Sequence, residues 1–182
     1  MPLVSVVVTT YNRRELLMKT IDSILNQTYK NFELIVVDNF SDYDFLSYLR
    51  SFNDERIRSF QNKNEGIIAV NRNFGIKKAK GEYIAFCDDD DLWKPNKLEV
   101  QLKHFTSDDI VGVGSSAIYF GKLSNKRMRM MRKDVICGFN TLFTKKHAML
   151  SSLMIRNQGL LFDENKIINF IEDLEYQLRI TL

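Results

Sequence analysis

Histidine, cysteine and proline are scarce in this chain, and the scarcity limits its chemistry. Two histidines, His104 and His147, cannot build a histidine-rich metal centre, so any metal must sit on oxygen ligands. Two cysteines, Cys87 and Cys137, lie in apolar settings; they read as small buried hydrophobes in a reducing compartment and offer no disulfide or zinc framework. No glycine stands between Met1 and Arg14, so the glycine-rich loop with which a sugar nucleotidyltransferase holds a triphosphate is missing. No apolar run reaches bilayer length, and Leu3 to Val8 is too short for a signal segment and lacks a basic stretch before it. The expectation is therefore a cytoplasmic protein. A net charge of +3 is too mild to argue for nucleic acid as a partner.

What is present is the composition of an ordinary globular domain, and 182 residues without repeats or linker-like stretches predict one domain, 1–182. Strands and helices alternate. The β-branched run Leu3 to Val8 predicts a strand buried on both faces, and Asn12 is placed to cap a helix from about Arg14 to Gln27. Phe32 to Val37 reads as a second buried strand ended by Asp38-Asn39, Tyr43 to Phe52 as a helix, and Arg56 to Gln61 as a short strand. Ile67 to Lys80 predicts a helix stopped by Gly81, followed by a strand at Tyr83 to Cys87. Further on, Ile110 to Phe120 and Leu150 to Arg156 read as strands, and Glu172-Asp173 opens a helix. The segment Lys122 to Lys133, basic with interspersed methionines, reads as a solvated strand or hairpin arm. Its alternative is a basic amphipathic surface that meets anionic lipid or an acidic acceptor carrier.

This order predicts an α/β fold: an open, mostly parallel sheet flanked by helices, which binds ligands beyond the carboxyl ends of its strands. Three polar groups fall at such ends: Thr9-Thr10-Tyr11-Asn12, Asp38-Asn39 and Asp88-Asp89-Asp90-Asp91. Four adjacent carboxylates repel one another, and a divalent cation carrying a diphosphate is the partner that such a run serves. The competing reading is that the acids cap a helix opened by Pro95, which accounts for one or two of the four.

The residues then carry a resemblance. Val4 to Asn12, Ser23 to Thr28, Phe32 to Asp38, Asn64-Glu65-Gly66 with Arg72-Asn73-Phe74-Gly75, Lys80 to Asp91 with Trp93 and Pro95, and finally Phe162-Asp163-Glu164 with Glu172-Asp173 follow in one order. In that order they resemble the motifs of a family 2 glycosyltransferase with the GT-A (Rossmann-like) fold, over nearly the whole chain. The resemblance implies inverting transfer of a sugar from a nucleotide diphosphate sugar, with UDP-sugar ahead of dTDP- or GDP-sugar, to a saccharide or lipid-linked acceptor. It also implies Mn²⁺ or Mg²⁺ on a DxD motif at a strand end, in surface polysaccharide or glycolipid synthesis.

Residue by residue, the resemblance implies Asp90 as metal ligand supported by Asp88, Asp89 against the ribose or diphosphate, and Asp173 as base with Glu172 as its nearest substitute. Thr9, Tyr11, Asp38 and Asn39 would meet the nucleoside, and Arg72 the diphosphate or a surface acid. Asn39 stands where many members carry a second acid, and an amide can donate as well as accept. Family members usually continue beyond the position of Leu182. The expectation is thus a cytoplasmic domain lacking its C-terminal continuation, with peripheral contact at the inner face of the membrane left open and a catalytically weak nucleotide-sugar binding fragment as the alternative.

Overall fold

The computed structural model of the chain describes residues 1–118, 148–168 and 171–181. Strand β1 (Val4–Thr10) is central, with β2 (Phe32–Asp38) and β3 (Ile57–Gln61) parallel on one side and β4 (Tyr83–Asp88) parallel on the other. Beyond β4 run β6 (Leu153–Arg156) and β5 (Gly112–Gly114), both antiparallel to their neighbours, giving the order β3-β2-β1-β4-β6-β5. The open, mostly parallel sheet expected from the alternation of elements is present.

Every residue of β1 and β2 is buried, as strands covered on both faces must be. The two-residue period of the strands divides their side chains between two layers. Val4, Val6 and Val8 of β1, with Ala85 and Cys87 of β4, pack against Leu17, Ile21 and Ile24 of α1 (Arg14–Leu25), Phe45 and Leu49 of α2 (Phe45–Arg50) and Leu98 of α4 (Lys97–Leu102). On the other face Val7, Ile84 and Phe86 meet Ala69 and Ile76 of α3 (Ile68–Lys78), Phe162, and Tyr176 of α5 (Glu172–Arg179). Burial stabilises by roughly 1.5–3 kcal/mol per large apolar side chain, so these two layers carry most of the fold's stability. Helix α3 lies very close to β1, because a Cβ on Gly75 would stand 2.4 Å from Cγ1 of Val7.

Several boundaries differ from the expected ones, each for a local reason. Asn12 does not cap α1; it sits at φ 54°, and its side-chain oxygen accepts from the Asp42 N–H instead. The helix ends at Leu25, and Gln27 turns inward, fully buried, to donate to the Ser23 and Lys94 carbonyls and accept from the Leu98 N–H. Helix α2 is shorter than Tyr43 to Phe52, because Asp44 caps it by accepting from the Ser47 N–H. Helix α3 stops at Lys78, before Gly81, whose own need for glycine is space: a Cβ there would lie 2.6 Å from the Ser5 nitrogen. Pro95 lies in the turn ahead of α4, which begins at Lys97, so the acidic run does not cap that helix. Leu150–Ser152 is a 3₁₀ turn rather than the start of β6, and the strand expected over 110–120 is Gly112–Gly114 among the described residues. The basic segment 122–133, Cys137 and His147 lie outside the described residues. Among those described, no helix is long and apolar enough to cross a membrane.

Candidate active site

The sheet register brings the three polar groups to one rim. Thr10 pairs with Asp38 on β2, Thr9 with Asp88 on β4, and Asp38 in turn with Gln61 on β3. The loops leaving this rim after β1, β2 and β3 turn through left-handed residues: Asn12 after β1, Phe40 after β2, and Glu65 with Gly66 after β3. Side chains lace the loops together. The Asn12 N–H donates to the Ser41 hydroxyl at 2.8 Å, and the Asn64 N–H to the Asn39 amide oxygen at 2.9 Å. Thr9 is buried, whereas Tyr11 and Phe40 project from the rim, each more than half exposed.

Asp38 is fully buried, and its carboxylate accepts from the Ser41 N–H, the Ser41 hydroxyl and the Gln61 amide. In this state it holds the β2 loop. Asn39 likewise spends its amide oxygen on the β3 loop.

At the inner end of the acidic run, Arg72 of α3 gathers three acids. Nη1 donates to Oε1 of Glu172 at 2.9 Å and to Oδ1 of Asp173 at 2.7 Å, while Nη2 reaches Oδ1 of Asp88 at 3.3 Å. The Arg72 side chain is only 5% exposed and lies over the Phe162 ring. It pairs with acids of the rim, not with a surface acid. Burial pushes the Asp173 carboxyl up to about 6, with Glu172 and Asp88 adding repulsion and Arg72 opposing. Helix α5 is held in place by stacking of Tyr176 on Phe162 at 3.9 Å, with Phe86 edge-on to both. Next to Arg72, the Asn73 amide donates to the Phe162 carbonyl and the Glu164 carboxylate and accepts from the Phe162 N–H. Adjacent residues of α3 thus dock both the segment leading to α5 and the first turn of α5 itself.

At the outer end, Asp89 is buried and accepts from the Thr10 hydroxyl at 2.7 Å and from Arg13 at 3.0 Å. Burial raises its pKa above the usual carboxylate range, against the pull of Thr10 and Arg13. Asp90 is exposed and takes a second bond from the same Arg13 nitrogen at 2.9 Å. Asp91 is also raised by burial, with the Ser151 hydroxyl opposing. Ser151, just ahead of β6, accepts the Asp88 N–H at its hydroxyl and the Trp93 indole N–H at its carbonyl.

Sequence reasoning gave no role to Arg13 or Ser151, and none to Asn73 beyond its place in a motif. Arg13 had a signal, a cation directly after the polar loop of β1. Ser151 had none, since its place depends on β6 pairing antiparallel with β4. Among the described residues no group of three or more His, Cys, Asp or Glu is set to hold a metal alone. Asp88 and Asp90, with side chains 39% and 47% exposed, offer hard oxygen ligands singly. That set fits a cation that completes its shell with phosphate oxygens, and does not fit an all-protein cage.

The chain is 38% identical over 122 residues to the Escherichia coli UDP-Glc:alpha-D-GlcNAc-diphosphoundecaprenol beta-1,3-glucosyltransferase WfaP, covering 67% of this chain and 48% of that protein. Its fold matches S. aureus TarS 1-349, solved also in complex with UDP, with a TM-score of 0.80, 20% identity and coverage of 98% of this chain and 55% of the other. A mannosyltransferase of Pyrobaculum calidifontis in complex with GDP-Man and Mn²⁺ matches with a TM-score of 0.58 and 26% identity, over 65% of this chain and 36% of that one. The chain spans from 16% to 55% of the length of the curated relatives it matches. The description "Glycosyl transferase family 2" matches residues 5–162, which take in the rim, Arg72 and the whole acidic run. On that match, and on the sheet that positions those residues, the chain belongs to glycosyl transferase family 2.

Proposed function

We propose that the chain transfers a sugar, with inversion, from a nucleotide diphosphate sugar to an acceptor hydroxyl, with UDP-sugar as the first choice of donor. The acceptor is a saccharide or a lipid-linked saccharide of a surface polysaccharide or glycolipid. One observation carries the reading. A single buried guanidinium, Arg72, ties the acid at the end of β4 to the acids that open α5, residues far apart in sequence. A displacement that inverts the sugar carbon needs charge stabilisation on the leaving-group side and a base on the acceptor side. The two ends of this cluster supply those two functions.

Asp173 is the base, with Glu172 next to it. A carboxylate lifted to about 6 is a stronger base than an ordinary one and is still ionised near neutrality. Arg72 orients it. Asp90, supported by Asp88, would hold Mn²⁺ or Mg²⁺, which supplies Lewis-acid stabilisation of the leaving diphosphate when bound. Asp89, fixed by Thr10, lies beside Asp90 for contact with the ribose or diphosphate. Thr9, Tyr11 and Asn39 line the nucleoside side, with exposed Tyr11 as the stacking surface. Asp38 meets the base by exchanging the Ser41 hydroxyl for an N–H of the nucleobase. The relatives support the donor class: TarS was crystallised with UDP, and WfaP is described as using UDP-Glc.

The test is calorimetric titration of UDP, dTDP, GDP and CDP, each with and without Mn²⁺. The expected result is metal-dependent binding with UDP the tightest. Failure of every nucleotide to bind would overturn the reading. Binding of UDP-sugar with no transfer to any lipid-linked or saccharide acceptor would instead favour a donor-binding module.

A further inference from the structure

The outer end of the acidic run holds a cation that the reaction as described does not use. Nη1 of Arg13 stands 3.0 Å from Oδ1 of Asp89 and 2.9 Å from Oδ2 of Asp90, bridging oxygens of two successive carboxylates. A hard cation shared between these acids and a diphosphate would compete for the same oxygens. The surroundings make the guanidinium replaceable. Its backbone is fixed between the Asn12 turn, tied to Ser41 and Asp42, and the first residue of α1. Its side chain, however, is 52% exposed, and among the described residues it donates only to these two acids. Arg72 is the contrast, at 5% exposure and shared among three acids.

We propose that Arg13 is an exchangeable internal counter-ion of the donor site. Without donor it neutralises Asp89 and Asp90. When the diphosphate arrives with its cation, Arg13 leaves Asp90 and pairs with phosphate oxygen, so the outer acids are neutralised at every stage. Guanidinium suits both partners, because its N–H groups match carboxylate and phosphate alike. This rests on the donor reading above, and it adds that Arg13 and the cation are competitors before the donor binds and allies afterwards.

The test follows free aqueous Mn²⁺ by its electron paramagnetic resonance signal during titration of the chain, first alone and then with UDP. The parent is compared with Arg13→Gln and Arg13→Lys, all three checked for fold by circular dichroism. Alone, Arg13→Gln should take up Mn²⁺ roughly fivefold more tightly than the parent, the scale of one partly exposed ion pair, while Arg13→Lys stays near the parent. With UDP present the order should reverse, Arg13→Gln binding the UDP–Mn²⁺ pair more weakly than the parent. Uptake of Mn²⁺ by Arg13→Gln that is no tighter than the parent's overturns the competition. Equal UDP–Mn²⁺ binding by the two overturns the transfer to phosphate. A parent that binds no UDP with Mn²⁺ overturns the donor reading and that transfer with it, while the nucleotide-free titration separately decides the competition.

Discussion

Asp88 and Asp90 stand two positions apart, yet the arginines that neutralise them sit in very different surroundings. Arg72 comes from the middle of α3, is almost wholly shielded from water, and is shared by Asp88, Glu172 and Asp173. Arg13 comes from a loop end, is half exposed, and pairs with Asp89 and Asp90. Coulomb attraction that is screened in water grows several-fold where water is excluded, and so does the cost of leaving a charge unpaired. The inner pair therefore belongs to the fold as much as to the site, because it fixes α5 against the sheet. The outer pair can be made and broken with little change in stability, and it stands where charge must change during binding.

The largest effect should come from breaking the inner cluster. Arg72→Ala removes the guanidinium shared by Asp88, Glu172 and Asp173, and breaking a buried pair such as Arg72–Glu172 costs about 3–5 kcal/mol. Urea unfolding should show that loss, together with loss of sugar transfer. Arg72→Lys should recover only part of it, since a single ammonium cannot span three carboxylates in one plane. If Arg72→Ala unfolds at the same urea concentration as Arg13→Gln, the distinction between the two ends fails.

Next in size is the chemistry at the same end. Asp173→Asn should lower transfer by roughly 10²–10⁴-fold while leaving UDP binding intact. A parent-like rate would move the base elsewhere. The pH dependence carries a sign that can be worked out. With the carboxyl raised to about 6, transfer should fall about tenfold per pH unit below that value, as the base becomes protonated. Stability should run the other way. The folded chain holds this proton more tightly than the unfolded one, so the contribution of Asp173 is fully present below the unfolded carboxylate range and is lost as pH rises through about 6. Activity and this part of the stability thus oppose each other across one window, and the opposition should vanish in Asp173→Asn.

The sheet could be read from the chain because β1, β2 and β4 are apolar runs broken only by Ser5 and Glu33 before the polar residues at their carboxyl ends, so Thr9, Asp38 and Asp88 had to share a rim. Glu172 and Asp173 were legible as a motif but not as neighbours of Asp88, since that contact depends on α3, Phe162 and Tyr176 packing on one face of the sheet. Arg72 illustrates the difference. As a letter on a helix it reads as a surface cation. Its burial follows from Gly75, which lets α3 sink against Val7 and draws the whole helix toward the acids. Asn12 and Gln27 were misread for a related reason, because their hydrogen bonds go to loops distant in sequence, which local patterns do not encode.

The smallest expected effect on stability, and the sharpest test of the outer end, is Asp90→Ala. Asp90 is exposed, its partner Arg13 keeps Asp89, and surface pairs of this kind contribute about 0–1 kcal/mol. Removing one of four adjacent like charges also relieves repulsion, so the free energy of urea unfolding should stay within about 0.5 kcal/mol of the parent's. Metal-dependent UDP binding should nevertheless be lost, because the cation loses its most accessible carboxylate. An unfolded Asp90→Ala chain would mean that the outer end is structural too, and that exposure is a poor guide to which charges this fold can spare. Intact folding with intact metal-dependent binding would shift the ligand to Asp88, whose Oδ1 already meets Arg72, and would couple donor binding through that guanidinium to Asp173.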